Sequence, residues 1–253
     1  MTAWHQVNLH LASTAETVLT DRILPIFTAA AAPWFFIRKH PFRIRWAPPD
    51  PATQPEAIHA TLDGLVPETI TAWNPAIYEP ETHAFGGPEA IAAAHDFFHA
   101  ESRHLATALT ESDFTASRAT YSTLLAAHLM RAAGLDWWEQ GDIWARITSM
   151  RTTTTEPNQA WRTRLAALLT RDPWQQPNPR LEPHRSWFDA TAKLGSSLAE
   201  LTASGRTTRG LRALIAHHLI FHWNRTGIPT KQQAHLAAAA RTIYFGTPEE
   251  ARP

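Results

Sequence analysis

Polar and apolar residues alternate from Trp4 to Leu11, and this period of two predicts a β-strand. Ser13 and Thr14 follow directly and are candidate caps for the next element. Beyond them the apolar residues take a helical spacing that continues to about Ala32. The beginning of the chain therefore predicts a strand followed by a helix.

Two short runs rich in aromatic and β-branched residues come next, Trp34 to Arg38 and Phe42 to Trp46, with Pro41 in the turn between them. This arrangement predicts a hairpin. Side chains alternate across a strand, so Arg43 and Arg45 share one face of the second strand. Two neighbouring guanidinium groups can bind a carboxylate, a phosphate or a peptide carbonyl. A solvated outer face of a hairpin would show the same spacing, and both interpretations stay open on spacing alone.

The rest of the chain changes from strand to helix. Gln54 to Leu65 predicts a short helix, and Thr69 to Tyr78 predicts a strand in which Pro75 indicates either a sheet edge or a bulge. From Pro88 the spacing is helical almost to the end. Breaks are expected near Thr110, Gly134, Thr152 to Pro157 and Asp172 to Pro183, the last being the best linker candidate.

These elements together predict an α+β fold. We expect a single domain over residues 1–253, with an N-terminal antiparallel sheet in residues 1–86 and a larger helical portion packed on it in residues 87–253.

Charge and composition exclude several classes of function. Lys plus Arg and Asp plus Glu both total 23, so the chain lacks the excess of basic residues that would indicate a nucleic-acid partner. The chain has no cysteine, which excludes disulfides and thiolate sites and fits a reducing cytoplasm. No signal-peptide pattern or membrane-spanning apolar run occurs. We therefore expect a cytoplasmic protein that binds neither nucleic acid nor membrane.

Leu211 to Arg225 has the spacing of an amphipathic helix, with His218, His222 and Arg225 on one face. Imidazoles on a shared face can transfer protons, and histidines satisfied inside a helix bundle would give the same pattern. The two histidines have the spacing of a zinc-binding helix, but the glutamate that normally follows the first histidine is absent. No metal site is predicted.

The turn before Gly86 concentrates Tyr78, Glu81 and His83. Side chains in a turn at a sheet edge are well placed for binding and proton transfer. The acids of this turn could instead cap the following helix. On that helix Ser102 lies near histidines and an acid, but no nucleophile-elbow motif accompanies it, which disfavours a catalytic triad.

In this order the motifs resemble the C-terminal domain of lanthipeptide dehydratases, which also occurs alone as a thiopeptide-type biosynthesis protein. The resemblance implies that the chain has the fold of this C-terminal domain, which is the elimination domain of those enzymes, and that its substrate is a peptide. The matching segments are Trp4 to Leu11, Phe35 to Trp46, Tyr78 to Gly87, Phe97 to Ser102 and His222 to Arg225.

The sequence departs from the eliminating members of this family at two positions. Ala84 stands where they have the arginine of the RYGG motif, and Ile220 stands where they have a histidine. The resemblance therefore favours the thiopeptide pyridine synthases, which join two dehydroalanines in a formal aza-[4+2] cycloaddition with loss of water and leader peptide. A glutamate-eliminating domain of a split dehydratase and a non-catalytic precursor-binding scaffold are the alternatives.

For a pyridine synthase, the resemblance implies roles for individual residues. Arg43 and Arg45 would bind backbone carbonyls or polarise an amide oxygen, and His218, His222 or Tyr78 would move protons. The expected substrate-binding residues are Glu81, His83, Phe85, Ser102, Trp223, Asn224 and Arg225.

No cofactor is expected. The expected partners are a precursor peptide that carries thiazoles, dehydroalanines and its leader, and other enzymes of the peptide-modifying pathway. An exposed sheet edge would let the leader bind as an added strand.

Overall fold

The computed structural model describes residues 4–13, 15–49, 54–153, 159–176 and 178–246. Its strands are β1 (His5–Leu11), β2 (Trp34–Ile37), β3 (Phe42–Trp46) and β4 (Ile70–Ile77). Its α-helices are α1 (Glu16–Val18), α2 (Leu24–Ala29), α3 (Gln54–Asp63), α4 (Pro88–Ala108), α5 (Ser112–Ala132), α6 (Trp137–Met150), α7 (Gln159–Thr170), α8 (Arg185–Ala203), α9 (Leu211–Thr226) and α10 (Thr230–Phe245). The predicted α+β class is confirmed.

The strands form one antiparallel sheet in the order β2-β3-β1-β4. In its register Gln6 lies opposite Arg45, and Asn8 lies opposite Arg43. Directly opposed residues of an antiparallel pair point to the same face, so these four polar side chains share one side of the sheet. Pro75 lies in the terminal strand β4, where a missing backbone N–H is tolerated. The hairpin is as predicted, and of the two positions expected for Pro75, a sheet edge or a bulge, the structure has the edge.

The other side of the sheet is apolar. Val7, Leu9 and Ile44 are fully buried there, and the Trp46 ring contacts the ring of Phe27 from α2 at 5.5 Å between centroids. Burial of large side chains of this kind contributes about 1.5–3 kcal/mol each and fixes which face of each strand points inward.

Side chains of α4 cover the edge strand β2. The backbone N–H of Trp34 donates to His99 Nδ1 at 3.0 Å, and that of Phe36 donates to Ser102 Oγ at 3.4 Å. An edge strand whose donors are occupied cannot pair with another strand. The predicted substrate-binding residue Ser102 therefore caps this edge in the structure, where it is fully buried.

The predicted helix after β1 is present over residues 16–29, with one π-helical turn inside it. Helix α1 begins at Glu16 with Ala15 as its N-cap residue and no side-chain cap, whereas Ser13 Oγ accepts the N–H of Ala15 at 3.1 Å. Thr14 lies outside the described residues. A π-helical turn, Leu19–Ile23, precedes α2, which carries Pro25 near its start. Proline lacks the N–H of a normal helical hydrogen bond, which explains the π-helical turn.

The chain divides into two compact units. Unit 1 comprises Met1–Pro80 with His95–Ala116, and unit 2 comprises Glu81–Ala94 with Ser117–Pro253. The candidate linker from 172 to 183 connects two helices of unit 2 and is not a boundary between the units. The break expected at 152–157 lies mostly outside the described residues. The assignment of the whole chain to one domain stays a prediction.

Unit 2 is a helical bundle with close internal packing. Trp144 of α6 and Trp223 of α9 stack with their ring centroids 6.0 Å apart, and both are 1% exposed. The hydroxyl of Tyr244 in α10 donates to Gln140 Oε1 at 3.0 Å. In α8, a Cβ atom at Gly195 would lie 2.7 Å from the Leu129 carbonyl oxygen, so only glycine fits there. No helix among the described residues is long and apolar enough to cross a membrane.

Candidate functional site

A row of polar side chains runs across the sheet in unit 1. Arg45 Nε donates to Gln6 Oε1 at 2.7 Å, and Gln6 Nε2 donates to Asn8 Oδ1 at 3.0 Å. These bonds follow from the strand register, which sets Gln6 directly across from Arg45. Arg45 is only 8% exposed, so its guanidinium is a fixed, largely desolvated positive charge.

Arg43 projects from the same face but is bound differently. It is partly exposed, and its Nε is buried without a hydrogen-bond partner among the described residues. A buried donor without an acceptor costs about 1–3 kcal/mol. A carbonyl, carboxylate or phosphate oxygen delivered by a ligand would recover that free energy.

An aromatic ring connects Arg45 to a histidine. The Cζ of Arg45 lies 4.2 Å from the centroid of the Tyr78 ring and 5.4 Å from that of Phe35. The hydroxyl oxygen of Tyr78 lies 2.7 Å from Nε2 of His95, in the part of α4 that belongs to unit 1. We call Gln6, Asn8, Arg43, Arg45, Tyr78 and His95 the arginine–tyrosine cluster.

The surroundings of His95 keep its imidazole neutral. Its pKa is lowered to about 4, chiefly by burial and also by the Arg45 guanidinium, while the Asp96 carboxylate acts in the opposite direction. Trp4 and Phe35 contact the ring at centroid distances of 4.7 and 5.7 Å. At neutral pH this imidazole can therefore both donate and accept a hydrogen bond.

The turn that holds the predicted residues Glu81, His83 and Phe85 lies in unit 2. Glu81 Oε2 lies 3.8 Å from His217 Nε2, and Phe85 is buried with its ring centroid 4.7 Å from that of His217 and 4.9 Å from that of His218. His83 is exposed. The structure thus brings Glu81 and Phe85 together with the first half of α9.

The loop before α9 fastens the same turn. Arg209 donates a guanidinium hydrogen bond to the carbonyl oxygen of Ala84, and the N–H of Thr208 donates to the carbonyl oxygen of Gly86 at 2.9 Å. Gly86 has φ +92°, a conformation that favours glycine. Arg209 places a cation beside Ala84, at a position that carries no charge of its own.

The remaining predicted residues of α9 lie inside the bundle of unit 2. His218, His222 and Arg225 are each 1% exposed. His222 Nε2 lies 2.8 Å from Ser122 Oγ, and the Asn224 side-chain oxygen accepts a hydrogen bond from Gln233 Nε2 at 3.0 Å. Together with the buried Trp223, these side chains have packing partners within the bundle, and their roles toward a substrate stay predictions.

Three of these contacts have no signal in the sequence that identifies both partners. The alternation in β1 identified Gln6 as a polar strand residue, but its pairing with Arg45 depends on the register between β1 and β3. His95 and Arg209 carry no local signal for their partners, Tyr78 and Ala84. No group of three or more His, Asp or Glu side chains in the described part of the chain is arranged to hold a metal ion.

The antiparallel sheet with its paired arginines, followed by helices in this motif order, defines a lanthipeptide dehydratase-like protein. The chain belongs to the lantibiotic biosynthesis dehydratase C-terminal family, whose sequence profile matches residues 4–244. The resemblance inferred from the motifs is confirmed at the level of the family.

Three solved structures share the fold. The tRNA-dependent lantibiotic dehydratase MibB from Microbispora sp. 107891 has a TM-score of 0.64 at 16% identity, over 95% of this chain and 28% of that chain. The pyridine synthase TbtD from thiomuracin biosynthesis has a TM-score of 0.57 at 16% identity, over 95% of this chain and 97% of that chain. TsrL has a TM-score of 0.57 at 14% identity, over 98% of each chain.

At these identities the likeness shows the fold. The chain spans 28% of the length of the dehydratase MibB. A comparison with curated protein sequences found no significant match.

Proposed function

We propose that this protein is a pyridine synthase of thiopeptide biosynthesis. It would join two dehydroalanines of a modified precursor peptide by a formal aza-[4+2] cycloaddition, with loss of water and of the leader peptide. We propose that it acts in the cytoplasm, after other enzymes of the pathway have formed the dehydroalanines. The chain contains no cysteine, so it has no thiol of its own that could add to a dehydroalanine of the substrate, and this fits the proposed role.

The arginine–tyrosine cluster carries this proposal. One dehydroalanine and its preceding amide must tautomerise to a 2-azadiene, which places negative charge on the amide oxygen as the amide proton leaves. Arg43 supplies a donor that has no acceptor among the described residues, and Arg45 supplies a fixed charge over the Tyr78 ring. Donors aimed at developing charge in a desolvated site are the largest single source of catalysis in many enzymes.

The reaction asks for little covalent chemistry from the protein. Holding both dehydroalanines of a flexible peptide within bonding distance can contribute about 7–11 kcal/mol of the barrier. The pyridine synthase TbtD shares the fold of this chain over 97% of its own length, which supports the proposal.

Glutamate elimination is the second candidate, because the family is named for dehydratases. Ile220 opposes it most directly, because an apolar residue that is 6% exposed stands there. Ala84 also offers no side-chain cation of its own, although the Arg209 guanidinium donates to its carbonyl oxygen. Removing members of a catalytic set that acts as a unit costs most of its activity.

Mass spectrometry of two parallel reactions tests the proposal. The purified protein is incubated with a leader-bearing peptide that already contains two dehydroalanines, and separately with a glutamylated peptide. Loss of water and leader from the first peptide, with pyridine absorbance in the product, is the expected result. Loss of glutamate from the second peptide alone would assign the protein to elimination instead, and binding without any conversion would leave a precursor-binding scaffold.

Leader binding has its own test. β4 is the terminal strand of the sheet and most of its side chains are exposed, whereas α4 side chains cover β2 at the other end. We expect leader removal from the substrate to weaken binding. Equal conversion of a leaderless substrate would contradict a separate leader site.

A further inference from the structure

His95 has a geometry that suggests more than packing. Its Nε2 lies 2.7 Å from the hydroxyl oxygen of Tyr78, a short distance for a hydrogen bond between a phenol and an imidazole. Both residues are partly exposed, so the core does not fully enclose the pair.

The groups around this pair come from several elements. Arg45 of β3 lies over the Tyr78 ring, and Asp96 is the next residue of α4. Trp4, Phe35 and Phe98 surround the imidazole with centroid distances of 4.7, 5.7 and 6.4 Å. One cation, one carboxylate and several aromatic rings therefore lie around His95. The Tyr78 hydroxyl lies within hydrogen-bond distance of its Nε2.

We propose that His95 is the positioning residue of a proton relay in which Tyr78 is the group that contacts the substrate amide. In this relay the imidazole carries its proton on Nδ1, and the Tyr78 hydroxyl donates to Nε2. The inference rests on the proposed function, because it assigns the proton transfers of the tautomerisation to this pair. It also adds a residue that neither the motifs nor the family resemblance indicate.

The proton balance of the relay closes without any further reactant. Tautomerisation breaks the amide N–H bond and forms an O–H bond on the amide oxygen. The phenol oxygen takes the amide proton while its own proton passes to His95 Nε2. The reverse transfer then returns the proton of Nε2 to the phenol oxygen as the phenol gives a proton to the amide oxygen. The net change is one proton moved within the substrate.

The electrostatics suit both steps. Negative charge that develops on the phenol is stabilised by the Arg45 guanidinium, whose Cζ lies 4.2 Å from the centroid of the same ring. The lowered pKa of His95 keeps its ring neutral and able to accept the proton, and makes the transient imidazolium quick to release it. A histidine charged at neutral pH would have no free lone pair for the relay.

Four variants test the relay: Tyr78→Phe, His95→Phe, His95→Gln and the double variant Tyr78→Phe/His95→Phe. Turnover of the dehydroalanine peptide is measured by mass spectrometry, and folding by circular dichroism. We expect Tyr78→Phe and His95→Phe each to lower kcat about a hundredfold, with KM nearly unchanged. His95→Gln keeps a polar partner for the hydroxyl but cannot exchange a proton, so it should restore the melting temperature and not kcat.

The double variant separates the relay from a structural role. If His95 acts through Tyr78, adding His95→Phe to Tyr78→Phe should lower kcat no further. An additional loss equal to that of His95→Phe alone would overturn the proposal, and so would full kcat in His95→Gln.

A measurement without substrate keeps this inference distinct from the proposed function. The chain has three tyrosines, so tyrosinate absorbance resolves few titration steps. We expect His95→Phe to shift the step that Tyr78→Phe removes. If that shift is seen and no pyridine forms, the pair exists but the cyclase assignment is wrong; if pyridine forms and no shift is seen, the relay is wrong.

Discussion

The guanidinium of Arg45 lies over the ring of Tyr78, with its Cζ 4.2 Å from the ring centroid. The same guanidinium donates through Nε to Gln6 at 2.7 Å. Two different interactions therefore fix this side chain, one through its face and one through its edge. Arg43, two residues earlier on the same strand face, has a buried Nε without an acceptor among the described residues.

This difference predicts opposite balances of activity and stability for the two arginines. Arg43→Ala should lower kcat/KM strongly and leave the melting temperature nearly unchanged, because the substitution removes no hydrogen bond of Nε within the described structure. Arg45→Ala should lower both, since it removes a cation–π contact and a buried hydrogen bond worth about 1–3 kcal/mol together. Turnover and thermal unfolding of both variants check this. Equal losses of stability would make Arg43 structural.

The second prediction concerns the pH dependence of stability. Burial lowers the pKa of His95 from 6.5 to about 4, so the unfolded chain binds this proton at a higher pH than the native protein does. The contribution of His95 to the free energy of unfolding should therefore be fully present above pH 6.5, and it should be lost as the pH falls toward 4. After allowance for partial exposure the loss attributable to His95 is about 2 kcal/mol.

Chemical denaturation across this pH range measures the effect. His95→Phe should flatten the curve, while the exposed His40→Gln is the matched control for removal of an imidazole. The pKa values of His5, His99 and His128 are also lowered, chiefly by burial, so part of the slope should persist in His95→Phe. An unchanged curve in His95→Phe would show that its imidazole is not held neutral.

The third prediction compares two glycines with positive φ. A Cβ at Gly86 would lie 2.8 and 2.9 Å from the two methyl groups of Leu214, whereas a Cβ at Gly134 would meet nothing within 4 Å. Both substitutions to alanine cost about 1–2 kcal/mol for the left-handed backbone. Gly86→Ala should cost about a further 1–3 kcal/mol for overpacking. Thermal unfolding of the two variants isolates the steric part, and equal losses would contradict the close approach of Leu214.

Local periodicity was sufficient to predict much of the fold. Residues close together in the chain determine the alternation in β1 and β3 and the turn at Pro41, so a local pattern predicts them. The shared face of Arg43 and Arg45 is local in the same sense. Pro75 indicated an edge or a bulge because the physical constraint, a missing N–H, acts at the residue itself. The helix after β1 was predicted from its spacing, but the π-helical turn before Pro25 was not.

The contacts of the candidate site were less accessible to sequence reasoning. Gln6 meets Arg45 only because the register pairs them, and Tyr78 meets His95 only through the course of the chain from β4 to α4. Arg209 reaches the Ala84 carbonyl from a loop far along the chain. No local pattern encodes such pairs. The sequence could name the residue types of the site but not which of them touch.

The last prediction concerns His222, which the motif resemblance assigned to proton transfer. Its Nε2 lies 2.8 Å from Ser122 Oγ, its ring contacts Trp187 at a centroid distance of 5.6 Å, and it is 1% exposed. His222→Phe should therefore destabilise unit 2 by about 1–3 kcal/mol, because the Ser122 hydroxyl loses a buried partner. Ser122→Ala leaves the imidazole in place and removes the same hydrogen bond, so it is the matched variant.

Turnover measured well below the melting temperature of each variant separates the structural role of His222 from a role in proton transfer. If His222→Phe retains turnover, the residue is structural and the proton carrier lies elsewhere, as the Tyr78–His95 pair requires. If His222→Phe abolishes turnover while Ser122→Ala, equally destabilised, retains it, the imidazole itself transfers protons and α9 must open to expose it.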